Sequence, residues 1–235
     1  PIMSDGIDGL EDITPICNVL VINMGTLNAR TISSMVKAGK KANALGKPVI
    51  LDPVGAGASR LRTETAYLLM KEIKFAVIRG NISEIKTLAQ GAGTTKGVDA
   101  DAADIVQEDN LAGAIALAKN LSQNTGAVVA ITGPIDIISD GAKTYAVRNG
   151  HPSMGKITGS GCMLTSVIGA YCGANPQSVL EAATTAIGLM GLCGEIAAQK
   201  VAPNNATGSF RTYLIDAMSD MNSETLQGGL KIAAC

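Results

Sequence analysis

The segment KITGSGCMLTSVIGAY, residues 156–171, combines glycines, a serine and a cysteine at the start of an apolar run. Gly159, Ser160 and Gly161 stand directly before Cys162. A helix N-terminus with open N–H groups attracts anions, and glycines let a phosphate come close. The segment therefore predicts an anion-binding turn, and a tight glycine turn beside a buried Cys162 is the structural alternative. It matches neither the GxxxxGK[ST] phosphate loop nor the GxGxxG dinucleotide fingerprint.

Cys162 itself has two possible chemical roles. A helix N-terminus favours the thiolate, so Cys162 could be a nucleophile paired with His151, the single histidine of the chain. Alternatively, it could accept the proton of an attacking hydroxyl beside a phosphate. Phosphoryl transfer depends mainly on positioning and electrostatics, so a weak base suffices there. The residues alone leave both roles open.

A second group of polar residues follows four predicted strands, in the segments NMGT (23–26), DPVGAGAS (52–59), RGNISEI (79–85) and TGP (132–134). Ligands of open α/β sheets bind at the carboxyl ends of the strands, so these segments should share one rim. Two carboxylates and a guanidinium among glycine-rich loops suit a magnesium–phosphate ligand. The candidate residues are Asp52, Arg79, Asn81, Glu84 and Thr132.

Each of these residues also has a purely structural explanation. Asp52 could cap its own Pro-Gly loop. Arg79 and Glu84 could form a surface ion pair, and Asn81 with Glu84 loosely matches a capping box.

Apolar runs that alternate with helical patterns predict one α/β domain with parallel strands. We predict strands within 18–27, 48–57, 75–80 and 127–133, and helices within 28–48, 62–73, from 81, and 109–124. A hairpin over 135–150 turns at Asp140-Gly141. The chain should then be helical to its end, over 161–174, 178–199 and from Ser209. A polar, glycine-rich loop is predicted at 91–103.

Composition narrows the classes of partner. The chain has 19 basic and 20 acidic residues and 3% aromatics, which gives no electrostatic footprint for nucleic acid or an anionic membrane. A small-molecule ligand is the better expectation. Five cysteines without a CxxC pair indicate reduced thiols in a cytoplasm. We see no apolar run of membrane-spanning length and no export signal.

Seven segments in this order resemble the hydroxyethylthiazole kinases: VLVINMGTL, PVILDPVGAGAS, AVIRGNISEI, VDA, VVAITGPIDII, VRNGHPSMGKITGSGCMLTSVIGAY and GSFRTYLID. The resemblance covers essentially the whole chain. It implies a ribokinase-like three-layer α/β/α fold with a mostly parallel central sheet. It further implies phosphorylation of the hydroxyl of 4-methyl-5-(2-hydroxyethyl)thiazole with Mg²⁺ and ATP in thiamine biosynthesis and salvage, by a homotrimer with active sites at subunit interfaces.

The resemblance also implies roles for the two substrate-binding groups. Arg79 of IRGN and Thr132 of AITG would bind ATP. Gly159 of TGSGC and Met3 of PIM would contact the thiazole.

The resemblance further implies which residues bind phosphate and Mg²⁺ and which residue stands at the position of the proton acceptor. Asn81 and Glu84 match an N-x-x-E element that organises magnesium and phosphates, and Asp52 resembles the acidic residue beside it. Gly159, Ser160 and Gly161 would form the anion hole. Cys162 occupies the place where ribokinase-like sugar kinases hold an aspartate base.

The resemblance implies a single ribokinase-like kinase domain over residues 1–235, and it leaves alternatives. The family has a strand and a helix before PIM with an ITN motif, whereas this sequence begins at Pro1, so we expect it to be part of a longer chain. The alternative activities are a pyrimidine kinase of the same pathway, a Cys162–His151 hydrolase, and a non-catalytic binding protein.

Overall fold

The computed structural model describes residues 2–90, 106–202 and 206–235 of the 235-residue chain. The loop predicted at 91–103 lies outside the described residues. The described helices are α1 (Leu10–Ile16), α2 (Ala29–Ala44), α3 (Arg60–Glu72), α4 (Ile82–Gln90), α5 (Leu111–Thr125), α6 (Ser160–Ala174), α7 (Val179–Val201), α8 (Thr207–Ser219) and α9 (Ser223–Gly229). The described strands are β1 (Leu20–Asn23), β2 (Val49–Asp52), β3 (Val77–Asn81), β4 (Val128–Thr132), β5 (Asp136–Ser139), β6 (Thr144–Val147) and β7 (Ile232–Ala234).

The seven described strands form one sheet in which spatial order follows sequence order. Strands β1 to β4 pair in parallel, and β5, β6 and β7 then add in antiparallel fashion. Parallel neighbours need helical crossovers, which α2, α3 and the α4–α5 pair supply. The carboxyl ends of β1 to β4 therefore point to the same edge of the sheet.

Helices cover both faces of this sheet and give the predicted three layers. Side chains of consecutive strand residues point to opposite faces. Thus Leu51 packs in the core beneath α2 to α5, while its neighbour Ile50 packs in the core beneath α6 to α8. Helix α6 approaches the sheet closely, since a Cβ on Gly169 would lie 2.6 Å from Cγ2 of Val21.

The local signals of the sequence predicted most elements. Asn28 caps α2 in a reciprocal capping box with Thr31, and the Asp140-Gly141 hairpin joins β5 to β6. The prediction of a purely helical C-terminal part is wrong, because β7 follows α9 and pairs with β6. A three-residue strand carries no detectable periodicity, and its conformation depends on the exposed edge of β6. Helix α1, which contains Pro15, was likewise not predicted.

Helix α7 is the central helix of the second face. By length and composition alone, its 23 residues could cross a membrane, contrary to the sequence-based expectation that no such run exists. However, 72% of its apolar window is buried inside the described structure. Its apolar character is accounted for by packing against the sheet and α8.

Candidate functional site

The last residues of the four parallel strands lie side by side at one edge of the sheet. Asn23 pairs with Asp52 at the ends of β1 and β2, and Asn81 pairs with Thr132 at the ends of β3 and β4. Arg79 lies two residues before the end of β3. The register therefore brings the predicted polar residues to one rim, at the position where open α/β sheets bind ligands.

Asp52 is the buried centre of this rim, with 1% of its surface exposed. Its Oδ2 accepts hydrogen bonds of 2.8 Å from Nδ2 of Asn23 and from Oγ1 of Thr165. The carboxylate thus connects β1, β2 and α6, and these bonds, rather than capping of its own Pro-Gly loop, account for its position. Its Oδ1 has no hydrogen-bond partner among the described residues.

Burial and the neighbouring polar groups shift the pKa of Asp52 in opposite directions. Burial raises the pKa of its carboxyl group. The Arg79 guanidinium opposes that rise most strongly, followed by the polar side chains of Thr165, Cys162 and Asn23. Cys162 at the start of α6 therefore lies within interaction range of this carboxylate.

Arg79 lies between the strand ends and the first turn of α6. Its Nη2 donates a 2.7 Å hydrogen bond to Oγ1 of Thr132, and its Nη1 is 3.6 Å from Oδ1 of Asp52. The side chain is 12% exposed. Its Nε finds no hydrogen-bond partner in the part of the chain that the structure describes. A Cβ on Gly161 would lie 2.7 Å from Nη1, so glycine is what leaves room for the guanidinium.

Glu84 supports the loops of the rim through backbone hydrogen bonds. Its Oε1 accepts from N–H of Gly55 and its Oε2 from N–H of Asn81, both at 2.8 Å. Oδ1 of Asn81 accepts from N–H of Glu84 at 2.9 Å, so the capping-box explanation for this pair is confirmed. Glu84 is only 6% exposed, which rules out a surface ion pair with Arg79. Burial raises the pKa of Glu84, while the two backbone hydrogen bonds lower it.

The glycine turn before α6 has the geometry of an open helix start. Gly159 adopts a left-handed conformation with φ of 90°, which favours glycine. Ser160 begins the helix, and among the described residues no side chain caps it. The first-turn amides lack intrahelical acceptors and can receive an anion. This geometry agrees with the predicted anion-binding turn.

Sequence reasoning missed two residues of this cluster, Asn23 and Thr165. Asn23 ends β1 as Asp52 ends β2, so strand-end position was the available signal. Thr165 stands one helical turn after Gly161 and faces the same side of α6, which the spacing of four residues would have indicated.

Comparison with known proteins assigns the family. The family model described as the hydroxyethylthiazole kinase family matches residues 1–224. The chain belongs to the hydroxyethylthiazole kinase family. This confirms the resemblance seen in the motifs.

Individual members of the hydroxyethylthiazole kinase family agree with this assignment. The chain is 55% identical to the hydroxyethylthiazole kinase of Clostridium acetobutylicum, over 96% of this chain and 83% of the relative. The structure of the hydroxyethylthiazole kinase protein from Pyrococcus horikoshii OT3 superimposes with a TM-score of 0.88 at 33% identity, over 100% of this chain and 84% of that one. A ribokinase-like superfamily protein from Enterococcus faecalis, with a TM-score of 0.58 at 14% identity, covers 88% of this chain and 66% of its own and shares the fold. The predicted ribokinase-like class is therefore confirmed.

Met3, the substrate contact that the hydroxyethylthiazole kinase resemblance implies, lies on an exposed N-terminal segment. Its side chain is 94% exposed. The segment is tied to the first turns of α2, because Arg30 pairs with Asp5 at 2.7 Å and Ser34 donates to the Asp5 carbonyl. Met3 therefore lies two residues from this attachment to α2, the helix that follows β1, and outside the buried cluster.

The Cys162–His151 hydrolase alternative is not supported by the geometry. Nδ1 of His151 accepts the N–H of Ser153 at 3.2 Å, and the imidazole lies 6.5 Å from the ring of Phe210. Cys162 instead neighbours Asp52. Membership of a kinase family argues in the same direction.

The carboxylates fit magnesium to different degrees. Mg²⁺ in phosphate sites commonly uses one or two carboxylates together with phosphate oxygens and water. Oδ1 of Asp52 accepts no hydrogen bond among the described residues, although it is buried and lies 3.6 Å from Nη1 of Arg79, so it is the carboxylate oxygen with unused acceptor capacity. Both oxygens of Glu84 accept backbone N–H groups. No cluster of three or more potential His, Cys, Asp or Glu ligands occurs in the described ranges. Asp52 fits as a ligand, and direct ligation by Glu84 stays a prediction.

Asp136 is a further buried carboxyl group that sequence reasoning did not identify. It begins β5, four residues after Thr132, and its Oδ1 accepts the N–H of Gly133 at 2.9 Å. Burial raises its pKa from 3.8 to about 7, and the Gly133 hydrogen bond and Arg79 oppose the rise. Asp136 therefore holds the turn at the Thr132 end of the rim.

We expect Asp136→Asn to remove one contribution to the fall in stability as pH rises. Because the folded state binds the Asp136 proton more tightly than the unfolded state, the stability that Asp136 contributes is fully present below about pH 4 and is lost as pH rises toward and through pH 7. The loss should approach ~1.4 kcal/mol per pH unit. Asparagine retains an acceptor for Gly133 without ionising. Urea unfolding at pH 5, 6, 7 and 8 measures the difference, with exposed Asp140→Asn as control. Equal slopes in wild type and Asp136→Asn would contradict this assignment.

Proposed function

We propose that this chain phosphorylates the hydroxyl group of 4-methyl-5-(2-hydroxyethyl)thiazole with ATP, in thiamine biosynthesis or salvage. In a chain of this family, one observation carries the proposal. The Arg79 guanidinium is held between Asp52 and Thr132 and packs directly against the uncapped start of α6. A cation and open helix amides then face the same place, as transfer of a phosphoryl group requires.

In this proposal, different residues bind ATP, which donates the phosphoryl group, and the thiazole alcohol, which accepts it. Arg79, Thr132 and Asn81, from β3 and β4, bind the ATP phosphates. Gly159 and Met3 contact the thiazole, and the first-turn amides of α6 stabilise the charge that develops on the transferred group. These amides belong to Ser160, Gly161 and Cys162. Their contribution is electrostatic and needs no movement of the chain during the step.

Cys162 is the proposed acceptor of the proton from the attacking hydroxyl. Its position in the first turn of α6, beside the Asp52 carboxylate, supports this role. In the proposed step the hydroxyl oxygen bonds to the terminal phosphorus of ATP, the bond from that phosphorus to the bridging oxygen breaks and leaves the oxygen on ADP, and the hydroxyl proton passes to the sulfur of Cys162 in its thiolate form.

We expect Cys162→Ala to lower kcat by at most about 100-fold, because positioning and electrostatics provide most of the catalysis of phosphoryl transfer. Steady-state assays at saturating ATP measure this change. His151→Ala should leave kcat unchanged, since its imidazole accepts the N–H of Ser153 at the start of a short 3-10 helix, Pro152–Lys156. An ATP-independent turnover that both variants abolish would instead indicate the hydrolase.

The proposal includes a Mg²⁺ site, a homotrimeric assembly and a cytoplasmic location. Asp52, with Glu84 behind it, would hold the Mg²⁺ ion, which neutralises phosphate charge when bound. The exposed Met3 agrees with active sites completed at subunit interfaces of a homotrimer. Five free cysteines agree with a reducing cytoplasm. Sedimentation equilibrium tests the trimer, and a monomer with full activity would contradict it.

Release of ADP tests the activity directly. Coupled assays with Mg²⁺ and ATP should show turnover with the thiazole alcohol. Turnover only with hydroxymethylpyrimidine would replace the proposed substrate by that of a pyrimidine kinase. Calorimetric binding of ATP and thiazole without any product would indicate a non-catalytic binding protein.

A further inference from the structure

Arg62 makes contacts that its position in a helix does not explain. It lies in the first turn of α3, two residues after the helix begins. The positive end of the helix dipole disfavours a cation there. Helical side chains point back toward the helix N-terminus, which directs Arg62 toward the loops at the carboxyl ends of β1 and β2. A compensating interaction must therefore come from those loops.

Three backbone carbonyls converge on this guanidinium. Nη1 of Arg62 donates to the carbonyl oxygens of Met24 and Val54, both at 2.7 Å. Nη2 donates to the carbonyl of Gly25 at 3.1 Å. Met24 and Gly25 belong to the loop after β1, and Val54 belongs to the loop after β2. One side chain thus joins the two loops beyond the last backbone bond between the strand ends, in which N–H of Met24 donates to the carbonyl of Asp52 at 3.1 Å.

The loops are shaped to receive this side chain. Gly55 adopts a left-handed conformation with φ of 72°, and a Cβ there would lie 3.0 Å from Cδ of Arg62. Carbonyl oxygens repel one another when they converge, and guanidinium is the side chain with enough fixed donors to satisfy three of them. Removal of Arg62 would leave those carbonyls close together without a common donor.

The same loops lead to the reacting centre. N–H of Gly25 donates to Oδ1 of Asn23 at 2.7 Å, and Nδ2 of Asn23 donates to Asp52. On the other side, N–H of Gly55 donates to Glu84. A shift of either loop is therefore transmitted to a buried carboxylate of the rim. The proposed ATP ligands instead come from β3 and β4.

We propose that Arg62 is a positioning residue for the acceptor alcohol: by joining the loops after β1 and β2, its guanidinium sets where the acceptor hydroxyl lies relative to the phosphate. This inference rests on the proposed function. It concerns the loops after β1 and β2. It predicts a change in the kinetics with the alcohol without an equal change in the affinity for ATP.

The test compares Arg62→Met and Arg62→Lys with Arg60→Met. Arg60 lies on the same helix, its side chain is 89% exposed, and it pairs only with Glu64 among the described residues. kcat and KM for the thiazole alcohol are measured at saturating Mg²⁺ and ATP, and unfolding is followed in urea. The Kd for ATP is measured by calorimetry without Mg²⁺, because Asp52 and Glu84 are the proposed holders of that ion. These readouts separate positioning from a general loss of structure.

Arg62→Met should lower kcat/KM for the alcohol by about 30-fold, with a change in the ATP Kd of less than about threefold. Arg62→Lys should recover part of that loss, and Arg60→Met should match wild type. The proposal is overturned if Arg62→Met keeps wild-type kcat/KM, or if ATP affinity falls equally. If Arg62→Met does not fold, an Arg62→Lys enzyme with wild-type alcohol kinetics overturns it as well. A wild-type chain that shows no alcohol-dependent ADP release would instead reject the proposed function.

Discussion

Replacement of Gly161 by alanine is expected to reduce kcat/KM about 100-fold while the domain stays folded. The new Cβ would lie 2.7 Å from Nη1 and 3.0 Å from Nη2 of Arg79, so the guanidinium has to move. The helix itself favours alanine over glycine by about 1 kcal/mol, so the backbone tolerates the change. Displacement of Arg79, the proposed phosphate-binding cation, is then the main effect. Steady-state kinetics and urea unfolding of the same preparation measure it.

Gly208→Ala provides the matched control for this substitution. Gly208 also lies in the first turn of a helix, α8, and a Cβ there would meet no atom of the described residues within 4 Å. We expect wild-type kinetics and equal or slightly greater stability. Wild-type kinetics in Gly161→Ala would show that the position of Arg79 is not critical and would remove the main support for the proposed phosphate site.

Arg79→Met should weaken ATP binding by more than about 100-fold and should destabilise the fold by about 3–5 kcal/mol. The first effect follows from loss of a charge-assisted phosphate contact. The second follows because the 1% exposed Asp52 carboxylate loses its counter-charge. Burial already raises the pKa of Asp52, and removal of Arg79 raises it further. The destabilisation relative to wild type should therefore be smallest at low pH and grow as pH rises, since the folded state of the variant binds the Asp52 proton more tightly.

A double variant separates the two effects of Arg79. Arg79→Met combined with Asp52→Asn removes the unpaired charge, so the stability at neutral pH should largely return while ATP binding stays weak. Calorimetry gives the ATP Kd, and urea unfolding at pH 5 and pH 8 gives the stability. Unchanged ATP affinity in both variants would exclude Arg79 from the nucleotide site.

Local sequence signals were sufficient for the elements and for much of the site. Apolar runs ending in Asp52, Asn81 and Thr132 predicted parallel strands, and parallel strands direct their carboxyl ends to one edge. The glycines before Cys162 predicted an open helix start, which Gly159 provides with its left-handed backbone. The motifs also identified the kinase family. These conclusions depend on short-range patterns, and such patterns act within a few residues of one another.

Only the tertiary structure decided what the polar residues contact. Asn23 and Thr165 share one carboxylate oxygen of Asp52 although 142 residues separate them in the chain (165 − 23). In the sequence Arg62 occupies an ordinary helical position. In the structure its guanidinium donates hydrogen bonds to three carbonyls of two loops. Strand β7 formed because the edge of β6 offered unpaired backbone groups. The sequence by itself determined the strand–helix order, the glycine turn and the family, whereas hydrogen bonds and charges between distant segments were decided by chain packing, because their partners have no fixed spacing in sequence.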